Sequence, residues 1–293
     1  MSHHHPRLTP EAPIPYALID SGGQQKLERF GDKTLVRPST VAVWRKRADN
    51  AVWSHADATY EPDGGWRFHG QPLDRWHIKS SLCTLALRLQ TNGQIGLFPE
   101  HAGYLPDLVT TIERLRAGRS TPVSVLNLFA YTGMASVVAA RAGAIVTHVD
   151  LSKRALDWAR ENIVLNSLPE GSVRLIPEDA IGYLTRLTKK GQRFDIIVAD
   201  PPSFSRVTAK KTWSLDEVTP TLIDLLVQTL EPGHGDLFLS SHHFEIGAYT
   251  FANLLNDRLD ARGAETTVSN LALHEETTGR ILPAGFLVRM TLR

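Results

Sequence analysis

The sequence predicts an α/β fold, in which a doubly wound, mostly parallel sheet carries an antiparallel edge hairpin and follows a smaller β-rich region. Three observations predict it. From about Leu105 onward, short apolar runs alternate with stretches of helical apolar spacing across short turns. Near the end, residues 266–271 and 286–292 read as strands with little room between them for a crossover helix, so they fit an antiparallel hairpin. Before Leu105 the rhythm is that of short strands separated by turn residues.

Taken in order, residues 1–13 are polar, hold His3, His4 and His5, and lack the apolar core of a signal peptide. They read as a flexible terminus. A β-rich domain is expected over 14–103. Residues 14–20 and 25–29 flank Ser21-Gly22-Gly23, and 34–37 follow Gly31-Asp32. Pro62-Asp63-Gly64-Gly65 separates two polar-aromatic strands. Residues 83–89 alternate apolar and polar, Asn92-Gly93 supplies the positive-φ pair of a tight hairpin, and 94–98 return as its second strand. Trp44, Trp53, Trp66 and Trp76 lie in this half as packing residues or as a stacking surface.

The α/β domain is expected over 104–293. Helices are predicted at 105–116, 134–142, 153–166, 180–188, 220–230 and 246–261. Strands are predicted at 123–128, 145–149, 173–176, 196–199 and 236–240. The run at 123–128 is largely apolar, as suits a strand buried on both faces. Gly118 and Gly143 stop the helices that precede them.

Composition narrows the function classes. The 293 residues are 42% hydrophobic and 22% charged, and no apolar run reaches bilayer-spanning length, so a cytoplasmic protein without a membrane partner is expected. A single cysteine, Cys83, excludes an intrachain disulfide framework and a cysteine-rich zinc site. Cys83 reads as a small buried apolar residue. A net charge of +1 does not mark a nucleic-acid binder. Local clusters remain: Arg45-Lys46-Arg47 after Trp44, and Arg206, Lys210 and Lys211. Each is either a solvated face or a set of phosphate contacts.

In a doubly wound sheet, ligands bind beyond the carboxyl ends of the strands. After the first strand comes Asn127-Leu128-Phe129-Ala130-Tyr131-Thr132-Gly133, with a helix starting at once, so free N–H groups face a ligand. After the second comes Asp150-Leu151-Ser152, where Asp150 either accepts from ribose hydroxyls or caps the next helix. After the third comes Glu178-Asp179-Ala180, with the same two readings for Asp179. After the fourth comes Asp200-Pro201-Pro202-Ser203-Phe204, a rigid turn whose prolines remove two donors and leave carbonyl acceptors. The repeated glycines of a dinucleotide fingerprint are missing, which argues against a nicotinamide-dependent dehydrogenase.

Val125-Leu126-Asn127-Leu128-Phe129-Ala130-Tyr131-Thr132-Gly133, then Asp150, then Asp200-Pro201-Pro202-Ser203-Phe204-Ser205, resembles the bacterial large-subunit ribosomal RNA methyltransferases, the group with the 5-methylcytosine and 7-methylguanine enzymes. Gly96-Leu97-Phe98-Pro99-Glu100-His101 is similar to the segment that precedes their catalytic domain. The resemblance covers residues 96–293. It implies the Rossmann-like methyltransferase sheet and S-adenosyl-L-methionine as cofactor. The cofactor would lie on Asn127, Phe129, Tyr131, Thr132 and Gly133, with Asp150 and Leu151 at the ribose, Asp179 and Ala180 at the adenine, and Asp200 nearby. It implies no metal.

Departures from that pattern shape the chemistry. The 5-methylcytosine enzymes carry a nucleophilic cysteine after the fifth strand, where this chain reads Ser240-Ser241-His242-His243. Carbon methylation of a pyrimidine is therefore not expected, and direct transfer to a base nitrogen of RNA, ribosomal RNA in particular, is. Asp200 and the Pro201 carbonyl would hold the base, with Pro202 fixing the turn and Phe204 stacking. Glu100, His101, Arg206, Lys210, Lys211 and His242 are the candidate substrate contacts, and His242 or His243 the candidate proton acceptor. Ala102 stands where the family usually has arginine, and the amino-terminal region does not look like the RNA-binding appendages of those enzymes. A methyltransferase acting on protein or a small molecule would share every cofactor residue. A non-catalytic RNA-binding protein would not need them.

Overall fold

The structure is a computed structural model that describes residues 7–8, 14–206, 212–243, 246–259 and 263–292. The chain divides into two compact units: one of residues 1–8, 105–270 and 285–293, the other of residues 9–104 and 271–284.

In chain order the elements are β1 (Arg7–Leu8), β2 (Tyr16–Gly22), β3 (Gln25–Phe30), β4 (Lys33–Pro38), α1 (Asn50–Ser54), β5 (Ala58–Glu61), β6 (Gly65–Phe68), β7 (Trp76–Lys79) and β8 (Thr84–Leu87). A 3-10 turn (Pro99–Tyr104) leads to α2 (Leu105–Arg116), β9 (Ser124–Leu128), α3 (Met134–Arg141), β10 (Ile145–Asp150), α4 (Lys153–Leu165), β11 (Val173–Pro177) and α5 (Ala180–Lys189). Then come β12 (Ile196–Ala199), β13 (Phe204–Arg206), β14 (Thr212–Ser214), α6 (Leu215–Thr229), β15 (Asp236–Ser241), α7 (Ala248–Leu259), β16 (Ala264–His274) and β17 (Ile281–Leu292).

The larger unit is built on one sheet with the order β1-β16-β17-β15-β12-β9-β10-β11. Strands β9, β10, β11, β12 and β15 run parallel, and β17 joins β15 antiparallel. The Rossmann-like sheet with its antiparallel edge is thus present. The order reverses between β9 and β12, which is where such sheets bind ligands. Leu126, Leu128, Ile197, Leu237 and Leu239 are fully buried or nearly so, and helices such as α5, α6 and α7 cover them with Leu184, Leu222 and Phe251. The central strand β12, covered in this way, is apolar at all of 196–199. Among the described residues, no helix is long and apolar enough to cross a membrane.

Two sequence readings change here. Residues 1–13 read as a flexible terminus, yet Arg7 and Leu8 pair in parallel with Ser269 and Asn270 as an edge strand. Only a partner distant in sequence could reveal that. Helix α6 begins at Leu215 instead of residue 220, with Pro220 inside it. Proline reads as a helix start, whereas the chain accommodates its missing N–H beyond the first turn.

The smaller unit holds a five-stranded sheet, β2-β3-β4-β5-β6, and the pair β7-β8. Its sheet is antiparallel except between β4 and β5. The expected strand at 94–98 is not formed. Strand β8 pairs with β7, while Arg88 N–H donates to the Ile95 carbonyl at 3.2 Å and Gln90 N–H to Gln94 at 2.8 Å around the predicted Asn92-Gly93 turn. Those few hydrogen bonds turn the chain without extending a ladder.

Residues 271–284, at the far end of the β16–β17 hairpin, belong to this unit, although the sequence assigned all of 104–293 to the other. The cause is a buried ionic network. Arg280 donates to Asp20 Oδ1 and Glu275 Oε2, each at 2.8 Å, and Ser21 Oγ donates to Glu275 Oε1 at 2.5 Å. Asp20 also accepts from the Trp53 indole at 3.0 Å. Buried charges are tolerated only when paired in this way, so the tip is tied to β2. Cys83 is buried and unbridged, as expected.

Candidate active site

Register brings the strand ends of the larger unit to one level. Leu128 pairs with Val149 and with Ala199, Asp150 with Pro177, and Ala199 with Leu239. The residues that follow, Phe129, Asp150, Glu178, Asp200 and Ser240, therefore share the carboxyl edge of the sheet on both sides of the β9/β12 switch point.

The loop from β9 to α3 is held in a conformation that open chains avoid. Phe129 has φ 54°, Tyr131 φ 49° and Gly133 φ 88°. Positive φ costs ordinary residues of order 1–3 kcal/mol each and persists only where the surroundings impose it. Several bonds impose it. Ala130 N–H donates to the Val149 carbonyl at 3.1 Å, Tyr131 N–H to Asp150 Oδ2 at 2.8 Å, and the buried Asn162 amide to the Thr132 carbonyl at 2.9 Å. At Gly133 a Cβ would stand 3.3 Å from both Ala159 Cβ and His148 Cε1, so a side chain there would crowd both neighbours in a backbone conformation that favours glycine.

Beneath the loop runs a relay that the sequence did not signal. Asn127 Nδ2 donates to Ser136 Oγ at 2.8 Å, and Ser136 Oγ lies 3.0 Å from His148 Nδ1. Ser136 Oγ thus links the amide to the imidazole, one hydroxyl serving both neighbours. Burial drives the His148 pKa down to about 4, against a Tyr131 backbone carbonyl that favours the charged form. Asn127 is thus committed below the loop by its amide. A histidine on a largely apolar strand reads as plain core, so nothing local marks its part in the relay.

Asp150 closes β10. Its Oδ1 accepts from Ser152 N–H and its Oδ2 from Tyr131 N–H, both at 2.8 Å. Ser152, not Asp150, caps α4, accepting from Ala155 N–H. Burial raises the Asp150 pKa from its ordinary value against the pull of these two N–H donors. Leu151 beside it is 45% exposed. Asp179 is the cap of α5 and accepts from Gly182 N–H at 2.9 Å, and Ala180 is buried. Neighbouring Glu178 pairs with Arg186 at 2.7 Å.

Asp200 follows β12 directly. Ser240 Oγ, at the end of β15, donates to its Oδ1 at 2.7 Å, and His242 Nε2 stands 3.6 Å from its Oδ2. Ser240, which the sequence offered only as the residue in place of a cysteine, is thereby the fixed partner of Asp200. Pro201 is buried and Pro202 exposed, and Ser203 offers its carbonyl to Leu215 N–H at 2.9 Å. Phe204 and Arg206 lie on β13, which pairs with β14. Lys210 and Lys211 lie outside the described residues. Glu100 and His101 are buried in the 3-10 turn of the smaller unit, with the His101 ring 5.6 Å from Phe98 and 5.8 Å from Tyr104.

Known proteins resemble this chain at every level. A crystal structure of a SAM-dependent methyltransferase from Agrobacterium tumefaciens matches with a TM-score of 0.92 at 34% identity, covering 98% of this chain and 94% of that one. A protein from Streptococcus mutans shares the fold, with a TM-score of 0.75 at 19% identity over 96% of this chain and 76% of its own. Ribosomal RNA large subunit methyltransferase K/L of Allochromatium vinosum is 37% identical over 151 residues, which is 50% of this chain and 19% of that protein. The chain spans a quarter or less of the length of such curated relatives. A family model described as S-adenosylmethionine-dependent methyltransferase matches residues 24–242, and with that span the chain belongs to the S-adenosylmethionine-dependent methyltransferase family.

Proposed function

We propose that this chain methylates a base nitrogen of RNA, with ribosomal RNA the favoured acceptor. The observation that carries the reading is the carboxyl edge itself, where the strained 129–133 loop, Asp150 and the Ser240-held Asp200 meet across the switch point. These residues fit the family's cofactor. Gly133 keeps the loop backbone bare, and each Asp150 oxygen accepts one N–H, leaving a lone pair on each for ribose hydroxyls. Phe129, Tyr131, Thr132, Leu151, Asp179 and Ala180 would line the remaining contacts. When bound, S-adenosylmethionine supplies a methyl group already activated by its sulfonium charge.

The chain's own residues then orient the acceptor. Asp200, fixed by Ser240, accepts a hydrogen bond from an exocyclic or ring N–H, and the Pro201 carbonyl is a second acceptor on a turn whose two prolines carry no N–H. Holding the nitrogen in line is most of the work, since near-attack positioning supplies a large part of the barrier reduction. His242, beside Asp200, is placed to receive the proton that the nitrogen releases. A paired base must leave its stack to reach such a site. The names of the curated relatives support RNA as acceptor. The serine at the end of β15 supports nitrogen over carbon, since no thiolate is there to add to a pyrimidine ring and make its carbon nucleophilic.

The test begins with calorimetric titration of S-adenosylmethionine into wild type and Asp150→Ala. Loss of charge-assisted hydrogen bonds should weaken binding by about 10-fold or more. Transfer of tritiated methyl to ribosomal RNA, with identification of the modified nucleoside, then tests the acceptor. Unchanged affinity in Asp150→Ala would overturn the cofactor assignment, and label entering protein alone would overturn the RNA reading.

A further inference from the structure

Within the smaller unit, strand β6 and the segment 88–91 that follows β8 border an open groove of about 450 Å³, a size typical of small-ligand sites. Trp66 and Phe68 both line it. They stand two residues apart on β6, so the strand's period places both rings on one face. Arg67 between them points away and pairs with Glu61. Strand β6 is the edge of its sheet.

Trp66 is fixed before any ligand arrives. Its Nε1 donates to the Gln90 carbonyl at 2.7 Å, and its ring leans on Tyr60 with centroids 5.2 Å apart. Tyr60 is anchored in turn by its hydroxyl on the Thr91 carbonyl. Phe68 is 36% exposed, a large apolar ring at the surface. Two guanidinium groups, Arg75 and Arg88, line the same groove against one carboxylate, Asp74.

We propose that this groove binds single-stranded RNA, with bases stacked on Phe68 and Trp66 and phosphates held by Arg75 and Arg88. The inference rests on the RNA-acceptor reading and gives the β-rich unit a role in holding substrate away from the reacting base. The chemistry fits in kind. Every base has a π-face that stacks on an aromatic ring, and guanidinium forks match phosphate oxygens. A ring locked in place beforehand loses little freedom on binding. An acidic peptide would use the two arginines and leave both aromatic faces idle.

The experiment uses the full chain saturated with S-adenosylhomocysteine and a fluorescein-labelled oligouridine of about 12 nucleotides, followed by anisotropy. Phe68→Ser should weaken binding about 5-fold or more, as loss of one base stack does. Arg75→Glu should weaken it and flatten its salt dependence. Both residues are solvent-exposed, so unchanged thermal melting and unchanged cofactor affinity confirm that the fold is intact, and Trp66→Ala is held to the same check. Wild-type affinity in Phe68→Ser and Arg75→Glu would overturn the groove assignment, as would equal affinity for polyglutamate. Methyl transfer to ribosomal RNA is measured in parallel. Transfer to RNA with undiminished binding in the variants refutes the groove alone. No transfer to RNA by wild type refutes the acceptor reading and takes the groove's role with it.

Discussion

His148 offers a perturbation whose size follows from its surroundings. The ring is wholly buried on β10, lies within hydrogen-bond distance of Ser136 Oγ through Nδ1, and has its pKa driven down to about 4. In the unfolded chain it titrates near 6.5. Below that value the unfolded state takes up a proton that the folded state refuses, so the histidine favours unfolding increasingly as pH falls. Its contribution to stability is complete above about pH 6.5 and is fully lost once pH has dropped through about 4. At about 1.4 kcal/mol per pH unit, the whole window amounts to about 3 kcal/mol, and the step from pH 7.5 to 5.0 to about 2 kcal/mol. The assay is urea unfolding at those two pH values for wild type and His148→Gln, since the variant shares every other titrating group. Wild type should lose about 2 kcal/mol more than the variant over that step. Equal losses would refute the argument that the ring is held neutral, and a larger loss in the variant would reverse its sign.

Gly133→Ala places a methyl group 3.3 Å from Ala159 Cβ and His148 Cε1 at φ 88°. It should cost about 1–2 kcal/mol in the unfolding free energy and weaken S-adenosylmethionine binding, read by calorimetry. Wild-type affinity would mean that the loop does not need its bare backbone. Asp195 meets a burial cost that opposes ionisation, yet the Ser124 N–H, Arg119, His234 and Ser124 hydroxyl hold its pKa down at about 2. Its contribution to stability is therefore present above about pH 3.8 and lost as pH falls through about 2. At pH 7, Asp195→Asn should destabilise the protein by about 2–4 kcal/mol in urea unfolding, because the Arg119 partner loses its counter-charge. A change below 0.5 kcal/mol, on the order of an exposed pair, would refute that role.

Much was legible in the sequence, and for identifiable reasons. Strands buried on both faces are mostly apolar, so 123–128 and 196–199 stood out, and helix α2 was bounded by its apolar spacing and Gly118. Ligand residues in this fold follow strand ends, so Asp150 and Asp200 stood out by position as candidates. Other choices were decided only when distant segments met. Whether Asp150 or Ser152 caps α4 depended on where Tyr131 N–H arrives from β9. Ser240 becomes the partner of Asp200 only because β15 lies beside β12 in register. The Asn127–Ser136–His148 relay joins three elements, and polar residues on buried strands carry no mark that tells a relay from an isolated polar residue in the core. The assignment of 271–284 to the β-rich unit came from Arg280 meeting Asp20 and Glu275, charges whose pairing has no local period. Local patterns record which face of an element is buried. Which charged and polar groups meet across that buried space is set by packing, and no short stretch of sequence encodes it.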